Sequence, residues 1–228
     1  MVRQLAFDLP LREARGREDF FVSPSNALAL AAVEDRRGWP GGRMLVTGPA
    51  GSGKTHLAHV WAGEAGATLI AAGELAAADL PGLAAGPVAV EDAEGIAGDA
   101  AGETALFHLS NLMAERGHAL LLTAARPVRD WGLGLRDLDS RMRAAASVRL
   151  DAPDDALLSA VLLKLFADRQ LDVSPALIGW LVPRMHRSLA HARDLVAALD
   201  AAALAEGRAP GRTLAARVMA ELSSDGLP

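Results

Sequence analysis

Between the apolar run Met44-Leu45-Val46-Thr47 and a helix-spaced stretch from Thr55 to Gly63 lie eight residues, Gly48-Pro49-Ala50-Gly51-Ser52-Gly53-Lys54-Thr55. They satisfy the pattern G-x-x-x-x-G-K-S/T at every fixed position. That pattern works only where a strand ends, curls tightly and re-enters as a helix. The glycines let the backbone curl so that, after Pro49, the successive N–H groups of Ala50–Thr55 point inward. The helix opening at Thr55 and His56 turns its positive end on the same point. Lys54 adds a compact ammonium that reaches the β- and γ-phosphates of a nucleotide, and the Thr55 hydroxyl suits Mg²⁺. ADP or ATP with Mg²⁺ is the expected cofactor.

What surrounds this loop predicts an α/β fold. Ala67–Ala71, Pro87–Val90, Ala119–Thr123 and Val148–Leu150 read as buried strands, with helices at Ala27–Arg37, Thr55–Gly63 and Glu103–Arg116. Apolar strands alternating with helices point to a parallel sheet covered on both faces. After Asp151-Ala152-Pro153 the strands stop, and Asp154–Arg169, Pro175–Met185, Ser188–Glu206 and Arg212–Leu222 all have helical spacing. The expected organisation is a tail and linker over residues 1–19, a nucleotide-binding base domain over 20–151 and a small all-α lid domain over 152–228.

Composition narrows the function classes. The chain of 228 residues has 23 basic and 28 acidic residues, for a net charge of −5. The arginines are interleaved with Asp and Glu, so no basic face for direct DNA binding is visible. No apolar run approaches the roughly 20 residues needed to cross a membrane, and the N-terminus lacks a signal peptide's apolar core. With no cysteine, there is no disulfide framework or thiolate site. A cytoplasmic protein is expected. Only Lys54 and Lys164 are lysines, against 21 arginines, which suggests that arginine would not serve at position 54.

A phosphate loop needs a carboxylate on a neighbouring strand end, and Pro87-Val88-Ala89-Val90-Glu91-Asp92 offers two. In one frame Glu91 acts on Mg²⁺ and Asp92 polarises the attacking water. In the other, Asp92 is the metal carboxylate. His56 and His59, three residues apart, lack a third ligand nearby and read as ordinary helix residues.

With these elements in place, the chain resembles the AAA+ superfamily, and within it the ATPase domain of the DnaA family. Phe20-Phe21-Val22-Ser23-Pro24-Ser25-Asn26 is similar to the segment lining that domain's adenine pocket, which implies base contacts from Phe21 and Val22. Ser140-Arg141-Met142 resembles its arginine-finger segment, so Arg141 is expected to reach a nucleotide held by a neighbouring subunit. Ser188–Leu199 resembles the helix bearing the second sensor, placing Arg193 over the chain's own phosphates. In Leu120–Pro127, similar to the first sensor, Ala125 stands where a polar residue is usual, so the chain's own hydrolysis is expected to be weak. The chain stops where a DnaA continues into its DNA-binding domain.

The N-terminal Gln4-Leu5-Ala6-Phe7-Asp8-Leu9 resembles the peptide by which replication proteins dock on the sliding clamp of DNA polymerase III. There Gln4 would occupy a polar pocket, and Leu5, Phe7 and Leu9 an apolar groove. Together these features are most similar to the Hda group, the regulatory inactivators of DnaA. That resemblance implies an activator in trans, with DnaA and loaded clamp as partners, Arg141, Asp92 and Arg193 as catalytic residues, and homo-oligomers as a further arrangement. The alternatives are a self-sufficient AAA+ ATPase, such as a helicase loader, and a scaffold held by ADP.

Overall fold

The computed structural model describes residues 20–225. Gln4, Leu5, Phe7 and Leu9 of the clamp-type peptide, with the linker through Asp19, lie outside the described residues.

Among the described residues, five strands form one sheet: β1 (Arg43–Thr47), β2 (Thr68–Ala71), β3 (Val88–Glu91), β4 (Leu120–Ala124) and β5 (Ala146–Arg149). Their order is β2-β3-β4-β1-β5, and every pairing is parallel. Parallel neighbours require crossovers, supplied by α2 (Lys54–Ala65), the short α3 (Leu80–Leu83), α4 (Ala100–Arg116) and α5 (Arg136–Arg143), with α1 (Ala27–Glu34) ahead of the sheet.

Side-chain alternation splits the strands between two cores. Leu45, Val90, Leu120 and Leu122 pack with Leu106, Leu109 and Met113 of α4. Met44, Val46, Ala89 and Leu121 pack on the opposite face with Leu57 and Trp61 of α2 and Val33 of α1. The register Met44↔Leu121 and Leu45↔Leu122 keeps like faces together across the sheet. Because both faces are covered, the strands read as continuous apolar runs, as expected from the sequence.

After β5 come only helices: α6 (Asp155–Asp168), α7 (Pro175–Leu181), α8 (Leu189–Glu206) and α9 (Arg212–Asp225). They share a third core around Leu158, Leu162, Phe166, Leu181, Leu195 and Leu199. Three of them begin at a side-chain cap, with Asp154, Ser174 and Ser188 accepting from Leu157, Leu177 and His191 amides. None of the described helices is long and apolar enough to cross a membrane.

Most boundaries fall within a few residues of expectation, and three departures have a clear physical reason or consequence. The first helix ends at Glu34 rather than Arg37, because the chain leaves helical geometry at Asp35. The turns that follow carry Trp39 into the core, 5% exposed, with Nε1 donating to the Ala32 carbonyl at 2.9 Å. Burial of an indole against Trp61, with ring centroids 5.5 Å apart, outweighs another helical turn. The predicted helix Pro175–Met185 is α7 plus a tighter turn over Val182–Arg184, where Pro183 has no amide to donate. Finally, α5 was not anticipated: five of its eight residues are charged, and only Leu138 and Met142 are buried.

Candidate functional site

At the end of β1 the chain turns at Gly48, where a Cβ would overlap the Leu150 carbonyl beside it. The loop therefore lies against the end of β5, and only glycine allows the approach. Gly51 has φ +71°, and a side chain there would overlap Ser188 at the start of α8. The Leu189 amide donates to the Gly51 carbonyl at 2.7 Å. The helical unit is thus joined to the phosphate loop by backbone contact, a feature with no sequence signature.

Lys54, the first residue of α2, is 9% exposed, and its ammonium donates to the carbonyls of Gly48 (2.8 Å) and Pro49 (3.0 Å). Burial pushes its pKa down, while the charges of Asp92 and then Glu94 act in the opposite direction. Asp92 takes φ +52° as the chain leaves β3. That turn brings it into a pocket of about 320 Å³ with Lys54, Thr55, Ala125 and Arg193. Glu91 points elsewhere: strand alternation puts it on the α2 side, with Oε2 4.0 Å from His59 Nε2. Of the two acidic frames, the geometry brings Asp92 rather than Glu91 beside the loop.

A second pocket of about 320 Å³ shares Gly53, His56, Leu189 and Arg193 with the first. Phe20, Phe21 and His56 line one wall and Leu157, Val161 and Leu165 of α6 the other. Asn26 shapes the first wall: its Nδ2 donates to the Phe21 carbonyl at 2.7 Å, and its Oδ1 accepts from Ser23 at 2.8 Å. Asp154 joins the walls, capping α6 while accepting from the Ser25 amide at 3.2 Å. Burial raises its pKa, but hydrogen bonds from Leu157, Ser23 and Ser25 outweigh this and hold it below the ordinary value.

Arg193 lines both pockets, and among the described residues its guanidinium has no hydrogen bond or ion pair. The buried Ser52 hydroxyl also lacks a partner. A cation and a hydroxyl without partners, beside a glycine cradle, fit a polyphosphate. Val22, 53% exposed, and Pro49 line neither pocket, though the Pro49 carbonyl holds Lys54.

Arg141 is remote from this cleft. It sits in the last turn of α5, its guanidinium 5.0 Å from the centre of the Phe107 ring. Glu94 also reaches the region of the cleft: its Oε1 accepts from the Ala125 amide, while Oε2 is buried without a hydrogen bond. It lies two residues beyond Asp92, outside the expected acidic pair.

No family model matches the chain. Among solved structures, domain III of the Thermotoga maritima replication initiation protein DnaA superposes with a TM-score of 0.78 at 18% identity, covering 93% of this chain and 98% of that one. The fold is that of DnaA domain III. The same DnaA-type fold is seen in AMPPCP-bound DnaA from Aquifex aeolicus (TM-score 0.68, 18% identity), where the match spans 82% of this chain and 65% of that one. The Thermotoga maritima RuvB Holliday junction branch migration motor gives 0.65 at 19% identity, covering 86% of this chain and 66% of that one. At these identities the likeness establishes the fold alone.

Proposed function

We propose that this chain is a nucleotide-binding AAA+ regulator of replication initiation that stimulates hydrolysis of ATP bound to DnaA. The observation that carries the reading is the separation of its cationic groups. Lys54 and Arg193 converge on one cleft at the end of β1, whereas Arg141 stands near its start. The five-residue strand places roughly 13 Å between those ends. Arg141 is therefore suited to a nucleotide held by another molecule.

In the chain's own cleft, the Pro49–Thr55 loop with Lys54 and Arg193 would bind the phosphates of ADP or ATP, and Phe21 and His56 would contact the nucleoside. Thr55 with Asp92 would hold Mg²⁺, which when bound would offset phosphate charge. The donors present fit such an ion, which takes oxygen ligands and keeps several waters. Ala125 offers only a methyl group at the first-sensor position, which supports weak turnover of the chain's own nucleotide. The Gln4–Leu9 peptide would recruit the regulator to DNA-loaded clamp.

A second reading, an ATPase that turns over its own nucleotide, is favoured by Asp92 beside Lys54. One experiment separates the two: single-turnover hydrolysis of radiolabelled ATP on DnaA, with loaded clamp and this protein omitted in turn. Stimulation should require both, vanish with Arg141→Ala, and vanish when Gln4, Leu5, Phe7 and Leu9 become alanine. Arginine fingers supplied in trans contribute about a thousandfold or more. Stimulation at the wild-type level by Arg141→Ala would defeat the reading.

A further inference from the structure

Arg43, the first residue of β1, lies beside Arg141. Its Nη1 donates to the Ser110 hydroxyl at 3.3 Å, and Ser110 is three residues from Phe107, over which Arg141 stacks. Residues so spaced are neighbours on one helix face, so α4 carries both guanidiniums side by side. Arg43 is also cradled by Gly41: with φ +59°, a Cβ there would lie 2.6 Å from Nη2. The Nε of Arg43 is buried without a hydrogen-bond partner.

This arrangement is electrostatically costly as it stands. Burial first, then the charge of Arg141, pushes the Arg43 pKa down. Elsewhere arginines meet acids, as in Arg143–Asp139, Arg187–Asp155 and Arg208–Glu206. Among the described residues neither Arg43 nor Arg141 forms an ion pair. Asp139, on the same helix as Arg141, is committed to Arg143 at 2.7 Å. Two like charges are thus held together by a ring, a hydroxyl and a glycine, with no acid between them.

We infer that Arg43 and Arg141 together form a two-guanidinium site for phosphoryl oxygens, and that its ligand is the triphosphate tail of a nucleotide carried by another AAA+ subunit. Phosphoryl chemistry follows from the donors: the planar fork of Arg141 can bind such oxygens bidentately, and the second charge on Arg43 matches a multiply charged tail. Arg141 stacks on Phe107 from the last turn of α5, and Arg43 supplies the second cation beside it. The choice of subunit rests on the trans reading above, whereas the site itself does not.

Two measurements keep these apart. In the first, full-length protein with Lys54→Ala, labelled with ¹⁵N-arginine and checked for folding by circular dichroism, is titrated with inorganic tripolyphosphate. The Nε–Hε signals of Arg43 and Arg141, assigned by their loss in Arg43→Lys and Arg141→Lys, should move along one saturation curve. An unmoved Arg43 signal, or separate curves, overturns the site. In the second, DnaA-ATP hydrolysis with loaded clamp is followed against the concentration of Arg43→Ala. The maximal rate should fall on the order of a hundredfold, with a half-saturating concentration within about twofold of wild type. Arg43→Lys should recover part of that rate. A raised half-saturating concentration at an unchanged maximum would mean that Arg43 meets an acidic side chain of the partner, which overturns the phosphoryl assignment. If tripolyphosphate binds as expected but wild-type protein does not stimulate DnaA, the trans reading fails and the assigned ligand falls with it.

Discussion

The Leu189 amide donates to the Gly51 carbonyl at 2.7 Å, so the helix carrying Arg193 is fastened to the loop that opens α2. Four residues along α8, one helical turn, then bring Arg193 over the same cleft. The contact is close enough that only glycine fits at position 51.

Gly51→Ala should therefore separate the two units without unfolding either. Its effect combines a strained backbone at positive φ with an overlap against Ser188. ADP affinity by calorimetry should fall at least about tenfold, and amide exchange at Leu189 should accelerate. Unchanged exchange at Leu189 would show that the fastening is not what positions α8.

Lys54→Ala should weaken ADP and ATP binding severely in a folded protein. Lys54→Arg should restore little, because a broad fork cannot take the place of an ammonium held between the Gly48 and Pro49 carbonyls. Near-normal calorimetric affinity in the alanine variant would remove the phosphate-loop assignment.

Asp92→Asn and Glu91→Gln should have unequal consequences. Asp92 shares a pocket with Lys54 and Thr55, whereas Glu91 faces His59. The gain in ATP affinity on adding Mg²⁺ should shrink strongly in Asp92→Asn and little in Glu91→Gln. The reverse order would return the metal role to Glu91.

Glu103 should make stability pH-dependent, and it anchors the start of the helix that carries Arg141. The carboxylate is 3% exposed and accepts from the amides of Gly98 (2.9 Å), Gly134 (3.1 Å) and Leu135 (2.7 Å), the last immediately before α5. Burial raises its pKa, but the bonds from Gly134, Gly98 and Leu135 outweigh this and hold it below the ordinary value of about 4.3. A lowered folded-state pKa means that stabilisation is complete above the unfolded value and is lost as pH falls through the folded one. Glu103→Ala should cost about 3 kcal/mol at pH 7 in urea unfolding, and its pH-dependent part should be lost as pH falls through the lowered folded-state pKa. A cost independent of pH would show that packing, not the charged hydrogen bonds, carries the effect.

The alternation of apolar strands and helices, with one loop of the right spacing between β1 and α2, was legible because those signals are local. Strand period, helix period and glycine placement are written in neighbouring residues, and burial on both faces of the sheet leaves continuous apolar runs such as Leu120-Leu121-Leu122. The short charged α5 was not legible, since two buried side chains in eight residues hardly disturb a polar pattern. Its place depends on Glu103, more than 30 residues earlier. Which of Glu91 and Asp92 meets Lys54 was likewise left open, because both orders fit the motif and a single residue at φ +52° settles the direction. The pairing of Arg43 with Arg141 joins positions 98 residues apart through one face of α4. Local sequence determined the elements and the phosphate loop. Contacts between distant residues, set by how helices pack on the sheet, decided which charges share a cleft and which stand apart from it.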